Sequence, residues 1–387
     1  MSEMTGILEW TARAEGRVRQ FAGGLVQGDD DPFVPLVMGE QYPLRNAQQI
    51  TVEVTMRKPR RRRRGPNSGP RSARPVVDRI IAIEGLDPDS LAKRPSFDEL
   101  TVIDPQPRLT LEYPGCPDAC RLVDLFCPIG RGQRALIVSP PKAGKTQLLK
   151  DIAGGLHTNH PDLELFAMLI DERPEEVTDF KRNVPVTVIA SSNDQTVERH
   201  IELSMLMLER CKRMVEAGKH VVVLLDSLTR LGRAFNSSPK YANSGRTMSG
   251  GMDSKAMSVP RQIFGAARNT EDAGSLTMIA TCLVDTGSQA DQVIFEEFKG
   301  SGNMELILDR KIAERRMFPA INLAASGTRK DELLQGSKEH DTVSALRRRL
   351  LNMPPPQQVE QLLAAMKRFK TNEDMIAIAS GGQNAAS

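Results

Sequence analysis

The 387-residue chain is 40% apolar and 26% charged, a balance typical of soluble globular proteins that excludes collagen-like and wholly disordered chains. At about 150 residues per domain its length predicts two to three domains, and apolar runs such as Val221 to Leu225 fall far short of the roughly 20 residues of a membrane span, so no membrane partner is expected. The formal charge of +3 hides an asymmetry: nine of the 52 basic residues and none of the 49 acidic ones lie between Arg57 and Arg74, which leaves the remainder net negative.

The first twenty residues scatter charges where a secretory signal would place an apolar block, so export is not expected. Five cysteines, an odd number, fit reduced thiols and a cytoplasmic location. Short apolar stretches punctuated by Gly and Pro, with a strand-like alternation over Gln49 to Met56 and again over Val76 to Ile83, predict a small β-barrel of OB or cold-shock type over residues 1–87. Its loop, Arg57 to Arg74, carries Pro59, Pro66 and Pro70 and no acid; such a run is either a solvated linker or a contact for a polyanion, and its place inside a strand-rich domain favours nucleic acid. Residues 88–127, rich in Pro and Asp, read as a connector. Beyond Gly130, in the region 128–387, compact apolar runs (Ala135 to Val138, Leu165 to Ile170, Val221 to Leu225, Leu276 to Val284) alternate with helical stretches such as Thr146 to Leu156 and Val197 to Met214. That order predicts an α/β domain with a mostly parallel sheet, followed by C-terminal helices.

The strongest local signal is Ser139-Pro-Pro-Lys-Ala-Gly-Lys-Thr146, which follows a strand candidate at Arg134 to Val138 and precedes a helix candidate at Gln147 to Leu156. Backbone N–H groups at a helix start cradle phosphate oxygens, with Ala143, Gly144 and Gln147 in the same loop; Lys145 reaches the β and γ phosphates, and the Thr146 hydroxyl binds Mg²⁺. Ser139 stands where the consensus has its first glycine. An NTPase also needs an acid for the metal shell and one for the attacking water. His220-Val-Val-Val-Leu-Leu-Asp226 and Leu165-Phe-Ala-Met-Leu-Ile-Asp-Glu172 are buried-strand patterns ending in acids, and ligands of open α/β sheets bind at that carboxyl edge. Asp226 is assigned to the metal and Glu172 to the water. Each acid alone could simply cap the next helix; a nucleotide site explains all three elements together.

These motifs, with Gly130-Arg-Gly-Gln-Arg134, Leu169-Ile-Asp-Glu-Arg-Pro-Glu-Glu-Val-Thr178, Leu225-Asp-Ser-Leu-Thr-Arg-Leu231, Phe264-Gly-Ala-Ala-Arg268, Asp285-Thr-Gly-Ser288, Glu296-Glu-Phe-Lys-Gly300, Arg310-Lys-Ile-Ala-Glu314 and Ser326-Gly-Thr-Arg-Lys330, closely resemble the Rho family of bacterial transcription termination factors. The likeness runs from about Leu122 to Leu334. It implies a RecA-like P-loop ATPase that forms a homohexameric ring, holds single-stranded RNA in its pore and uses ATP with Mg²⁺ to move toward RNA polymerase.

Carried over by position, the resemblance implies that Lys142, Lys145 and Thr146 bind phosphates and Mg²⁺, with Gly130, Arg131, Gly132, Gln133, Arg134 and Ala135 beside the same site. It makes Glu172 the catalytic carboxylate, Arg173 a nucleotide contact, Phe318 a surface for the adenine, and Arg329 an arginine finger reaching a neighbouring subunit, assisted by Arg316. Two loops are implied to grip RNA. One carries Arg246, where the family usually has Lys; the other carries Gln289, again at a usual Lys, a missing charge that Lys299 is placed to offset. In the amino domain, Glu15-Gly-Arg-Val-Arg-Gln-Phe21 replaces a glycine and aromatic strand and leaves Phe21 as the one stacking ring, so the Arg57 to Arg74 loop is expected to replace stacking with electrostatic affinity.

Cys116, Cys120 and Cys127 lack a fourth nearby ligand and read as free thiols rather than a zinc site. Arg347 to Arg349 reads as a solvated helix face. The expected function is an ATP-dependent RNA translocase in transcription termination. The alternatives are an RNA-binding regulatory relative with weak termination activity, and a rotary-type or secretion-type ring ATPase with a protein partner.

Overall fold

The computed structural model describes residues 2–11, 13–20, 28, 30–57 and 73–381. Phe21 and residues 58–72, most of the basic loop, lie outside the described residues. The chain divides into two compact units: residues up to Leu100 with Leu203–Lys219 and Asp272–Gly274, and the remainder, Thr101–Glu202, His220–Glu271 and Ser275–Ser387. Residues 88–100 of the expected connector thus group with the first unit and 101–127 with the second.

Alternation builds the first unit. Strands β1 (Ser2–Thr11), β2 (Ala14–Arg19), β3 (Phe33–Val34), β4 (Gln49–Arg57) and β5 (Arg74–Ile83), with the short helices α1 (Met38–Gln41) and α2 (Pro88–Ala92), close into a barrel of order β1-β2-β3-β5-β4. In β4, Ile50, Val52 and Val54 are buried and alternate with less buried Thr51, Glu53 and Thr55, the period of two that a one-sided sheet requires. Leu8, Val18, Val34, Val77, Ile80 and Ile83 complete the interior. Arg57 pairs with Arg74 in the β4–β5 ladder, so the two end residues of the basic run lie opposite one another.

The second unit contains β6 (Val102–Ile103), α3 (Asp118–Phe126), β7 (Arg134–Ser139), α4 (Lys145–Asn159), β8 (Leu163–Glu172), α5 (Pro174–Asn183), β9 (Thr187–Ser192) and the start of α6 (Val197–Glu216). It continues with β10 (His220–Asp226), α7 (Leu228–Ser237), α8 (Ser258–Gly265), β11 (Arg268–Thr270), β12 (Ser275–Leu283), α9 (Gln289–Phe298), β13 (Met304–Ile307), α10 (Arg310–Glu314), β14 (Gly327–Thr328), α11 (Ser337–Leu350), α12 (Pro355–Arg368) and α13 (Asn372–Gly381). The sheet order is β14-β13-β7-β12-β10-β8-β9, with parallel pairing from β13 through to β9. Continuous apolar runs such as Val221 to Leu225 belong in such a sheet because helices cover both faces. The expected α/β core is therefore present, preceded by the barrel. The sequence reading did not single out β9 and β13; both are short, and their neighbours in the sheet fix them as strands. No helix among the described residues is long and apolar enough to cross a membrane.

Candidate active site

The loop between β7 and α4 needs backbone that side chains resist. Gly144 (φ 89°) caps α4 and Lys142 (φ 64°) is also left-handed, so the chain reverses within 140–144 and aims the first N–H groups of a 15-residue helix at the space beyond the sheet edge, an anion site by geometry and dipole. Lys145 opens that helix, and its Nζ ion-pairs with Asp226, the last residue of β10.

Asp226 is 1% exposed. One carboxylate oxygen meets Lys145, and the other accepts from Thr281 Oγ1 at 2.9 Å, a residue of the intervening strand β12. Glu172 ends β8, is 3% exposed, and accepts from Arg230 Nη2 at 2.9 Å and from the Arg173 backbone N–H at 3.2 Å. Burial, and next the Asp226 charge, push the Glu172 carboxyl above the ordinary glutamate range, while Arg230 and Lys145 pull it back. Parallel pairing sets the strand ends side by side, which brings Lys145, Asp226 and Glu172 into one electrostatic cluster. The sequence reading gave no role to Thr281 or Arg230, although Arg230 lies one helical turn beyond Asp226 in the motif already noted. Thr146 and Asp226 offer hard oxygen donors beside a neutralising lysine, a set suited to Mg²⁺.

Phe318 is 44% exposed, and its ring lies 3.1 Å from the place a Cβ on Gly144 would occupy. It forms one wall of a cavity of about 420 Å³ with Ala143, Gly144, Gln147, Asp151 and Leu308, in which Gln147 donates to Asp151 at 2.7 Å. Arg316, exposed and in the left-handed region, lies two residues before Phe318. Arg173 is exposed next to Glu172 and pairs with Glu176 at 3.6 Å.

Gly130 to Ala135 are not brought to this loop. They form the entry and first two residues of β7 (Arg134–Ser139), which at about 3.3 Å per residue puts even Ala135 roughly 13 Å from the start of the phosphate loop. There they have structural work: Gly132 (φ 86°) passes so close to Asn269 that a Cβ would lie 2.2 Å from its backbone nitrogen, Gly132 N–H donates to Thr277 Oγ1 at 2.8 Å, and Gln133 donates to Asn303 Oδ1 at 2.7 Å. Arg131 pairs with Asp162 at 2.7 Å. Arg329 is at this same edge: its backbone N–H donates to Asn303 O at 2.9 Å, and Asn303 donates to Arg134 O at 3.0 Å. Its guanidinium donates to Gly300 O at 3.3 Å. Burial, then Arg268 and Arg329, hold the Arg134 guanidinium below its ordinary range, the signature of a crowded basic cluster. Within one chain, Arg329 and Arg316 therefore stand at opposite edges of the sheet.

The two loops expected to meet RNA do converge. Gly250 (φ 70°) packs on the start of α9, where a Cβ would come within 2.6 Å of Ala290 N and 2.7 Å of Gln289 C, so the loop of exposed Arg246 sits against exposed Gln289. Buried Asp291 fixes α9 to α7 through Arg233 at 2.6 Å. Lys299, exposed at the far end of α9, lies 3.8 Å from Glu296. The five cysteines are free thiols; burial pushes Cys127 up to about 12.

A family model described as the ATP synthase alpha/beta family, nucleotide-binding domain, matches residues 119–328. The transcription termination factor Rho of Borreliella burgdorferi is 46% identical over 378 residues, 98% of this chain and 71% of that protein, and that of Aquifex aeolicus is 44% identical over 96% of this chain and 83% of its own length. The chain belongs to the Rho family. Its members differ in length: the Streptomyces lividans protein, 47% identical, is covered over only 48% of its length. A solved structure described as a prototypical ATPase from the type III secretion system of pathogenic bacteria aligns over 73% of this chain and 78% of that one, with TM-score 0.57 and 23% identity, a likeness of fold. The Rho resemblance read from the motifs is thus borne out, and the chain is a nucleotide-binding P-loop ATPase of that family.

Proposed function

We propose that this protein is an RNA-dependent ATPase that moves along single-stranded RNA as a homohexameric ring and acts in transcription termination at RNA polymerase, in the cytoplasm. The convergence of Lys145, Asp226 and Glu172 on one sheet edge carries the reading. The α4 N-terminus, Lys142 and Lys145 bind the triphosphate, and Phe318 stacks on the adenine. Thr146 and Asp226 would hold Mg²⁺, which would supply positive charge to the triphosphate. Glu172 orients the attacking water and accepts its proton, a task favoured by a carboxyl whose affinity for protons is already raised. Arg329 serves a neighbouring copy's nucleotide, since its own phosphate loop lies at the opposite sheet edge; positive charge supplied across the interface makes hydrolysis depend on the ring. Arg246 and Gln289, on adjoining loops, contact RNA, with Lys299 adding charge nearby.

The barrel offers a ring the sequence reading passed over. Phe33 on β3 has two guanidiniums close to its ring, Arg17 at 4.7 Å and Arg74 at 4.2 Å from its centroid. A partly exposed aromatic ring grouped with two cations combines a surface for a base with charge for its phosphates, and this supports RNA capture at the barrel.

ATP hydrolysis measured with and without pyrimidine-rich single-stranded RNA tests the whole reading. RNA should stimulate turnover; Lys145→Ala should lower it at least about 100-fold with loss of nucleotide binding, and Glu172→Gln by a similar factor with binding retained. RNA binding without stimulation would favour the regulatory relative, and indifference to RNA the secretion-type motor.

A further inference from the structure

Three adjacent arginines close α11, and two of them, Arg348 and Arg349, are exposed. Arg347 instead turns inward. Its Nη1 donates to Leu323 O at 2.6 Å and to Ser326 O at 2.7 Å, and its Nη2 donates to Phe126 O at 2.8 Å, with the guanidinium 5.3 Å from the centre of the Phe126 ring. A planar group with five donors and no acceptor is suited to gathering carbonyls from several segments at once, and charge-assisted bonds of this kind are the stronger ones.

The segment it gathers leads directly to Arg329. Ser326 is three residues before it, and its hydroxyl accepts from Ile307 N–H at 2.9 Å and donates to Asn322 O at 2.6 Å. β14 has only two residues, short for a strand, so beside the Arg329 N–H bond to Asn303 O the approach to Arg329 is held by these polar contacts and by Thr328 Oγ1 donating to Pro128 O at 2.7 Å. We propose that Arg347 is a positioning residue for Arg329: by holding the carbonyls of Leu323 and Ser326 against the end of α3, it fixes the segment that presents the finger to the neighbouring subunit. This rests on the trans role of Arg329 proposed above. A finger acts through placement, and displacement by about 1 Å at a reacting centre costs on the order of 100-fold.

The test is RNA-stimulated ATP turnover of the full-length ring for Arg347→Ala and Arg347→Lys, with Arg348→Ala as a surface control and Arg329→Ala in parallel. Arg347→Ala should lower kcat about 10- to 100-fold while the Kd for a fluorescent ATP analogue stays within about twofold, because the phosphate loop is untouched. Arg347→Lys, which keeps the charge but loses the fork, should recover part of the loss, and Arg348→Ala should match wild type. The proposal is overturned if Arg347→Ala keeps its kcat, or loses kcat only in proportion to nucleotide binding, as general misfolding would produce. Should the alanine variant be insoluble, Arg347→Lys decides alone: a kcat within about twofold of wild type overturns the proposal, and a larger fall with unchanged nucleotide Kd supports it. Full activity of Arg329→Ala would show that the finger reading has failed and take the proposal with it, whereas an inactive Arg329→Ala beside fully active Arg347 variants refutes the positioning role alone.

Discussion

Glu172 is poised between opposing charges: Asp226 raises its proton affinity, and Arg230, 2.9 Å away, together with Lys145 lowers it. Turnover needs the ionised carboxylate, so it should fall as pH drops through the Glu172 pKa, at a pH above the ordinary glutamate value. Arg230→Met removes one of the lowering charges. The acid limb of its kcat–pH profile should therefore move to higher pH, and an unmoved limb would remove Glu172 from the role of base. Lys145 and Asp226 also explain each other. A carboxylate 1% exposed is costly without a partner, and Lys145 supplies one from the very loop that recognises phosphate.

At the scale of elements, the site depends on how closely α3 and α4 pack against the segments beneath them. Gly155 in α4 faces Leu111 so tightly that a Cβ would sit 2.7 Å from its carbonyl oxygen; Gly155→Ala must shift the helix that carries Lys145, and we expect a loss of about 1–3 kcal/mol in stability by denaturant unfolding. Asp124 in α3 accepts from the backbone N–H groups of Leu111 (2.9 Å) and Glu112 (2.7 Å), and burial pushes its carboxyl up to about 6 despite Arg108 nearby. A folded-state pKa above the unfolded one gives stability that is complete below about 4 and lost as pH rises through 6. The melting-temperature advantage of wild type over Asp124→Asn should accordingly shrink between pH 4 and 7, and a constant difference would show that Asp124 stays ionised throughout.

For the whole molecule, RNA affinity should be divided between stacking and charge. Phe33→Ala in the barrel should cost roughly 1–3 kcal/mol of binding with little change in salt dependence. Deleting the basic loop 58–72 should lower both affinity and the slope of log Kd against log salt, by about 0.7 for each phosphate that is no longer neutralised. Fluorescence anisotropy across a salt series separates the two, and an unchanged slope after the deletion would refute an electrostatic role for the loop.

The phosphate loop, the acids at two strand ends and the alternation of β4 were legible because each is a local pattern: the strand, loop, lysine, threonine and helix start that cradle phosphate are contiguous in sequence, and a period of two or a continuous apolar run depends on neighbours along the chain. Thr281, Arg230 and Arg347 were not, since each acts on groups far away in sequence. Local composition had marked Arg347 as solvent-facing, and Phe33, in a strand of two residues, carried no periodic signal. The family resemblance likewise implied that Gly130 to Ala135 lie beside the nucleotide, whereas the length of one strand carries them toward the opposite edge with Arg329. The sequence by itself determined the chemistry available and the family; only the tertiary structure decided which side chains share an edge of the sheet, because strand order and helix packing, unlike local pattern, are set by burial summed over the whole chain.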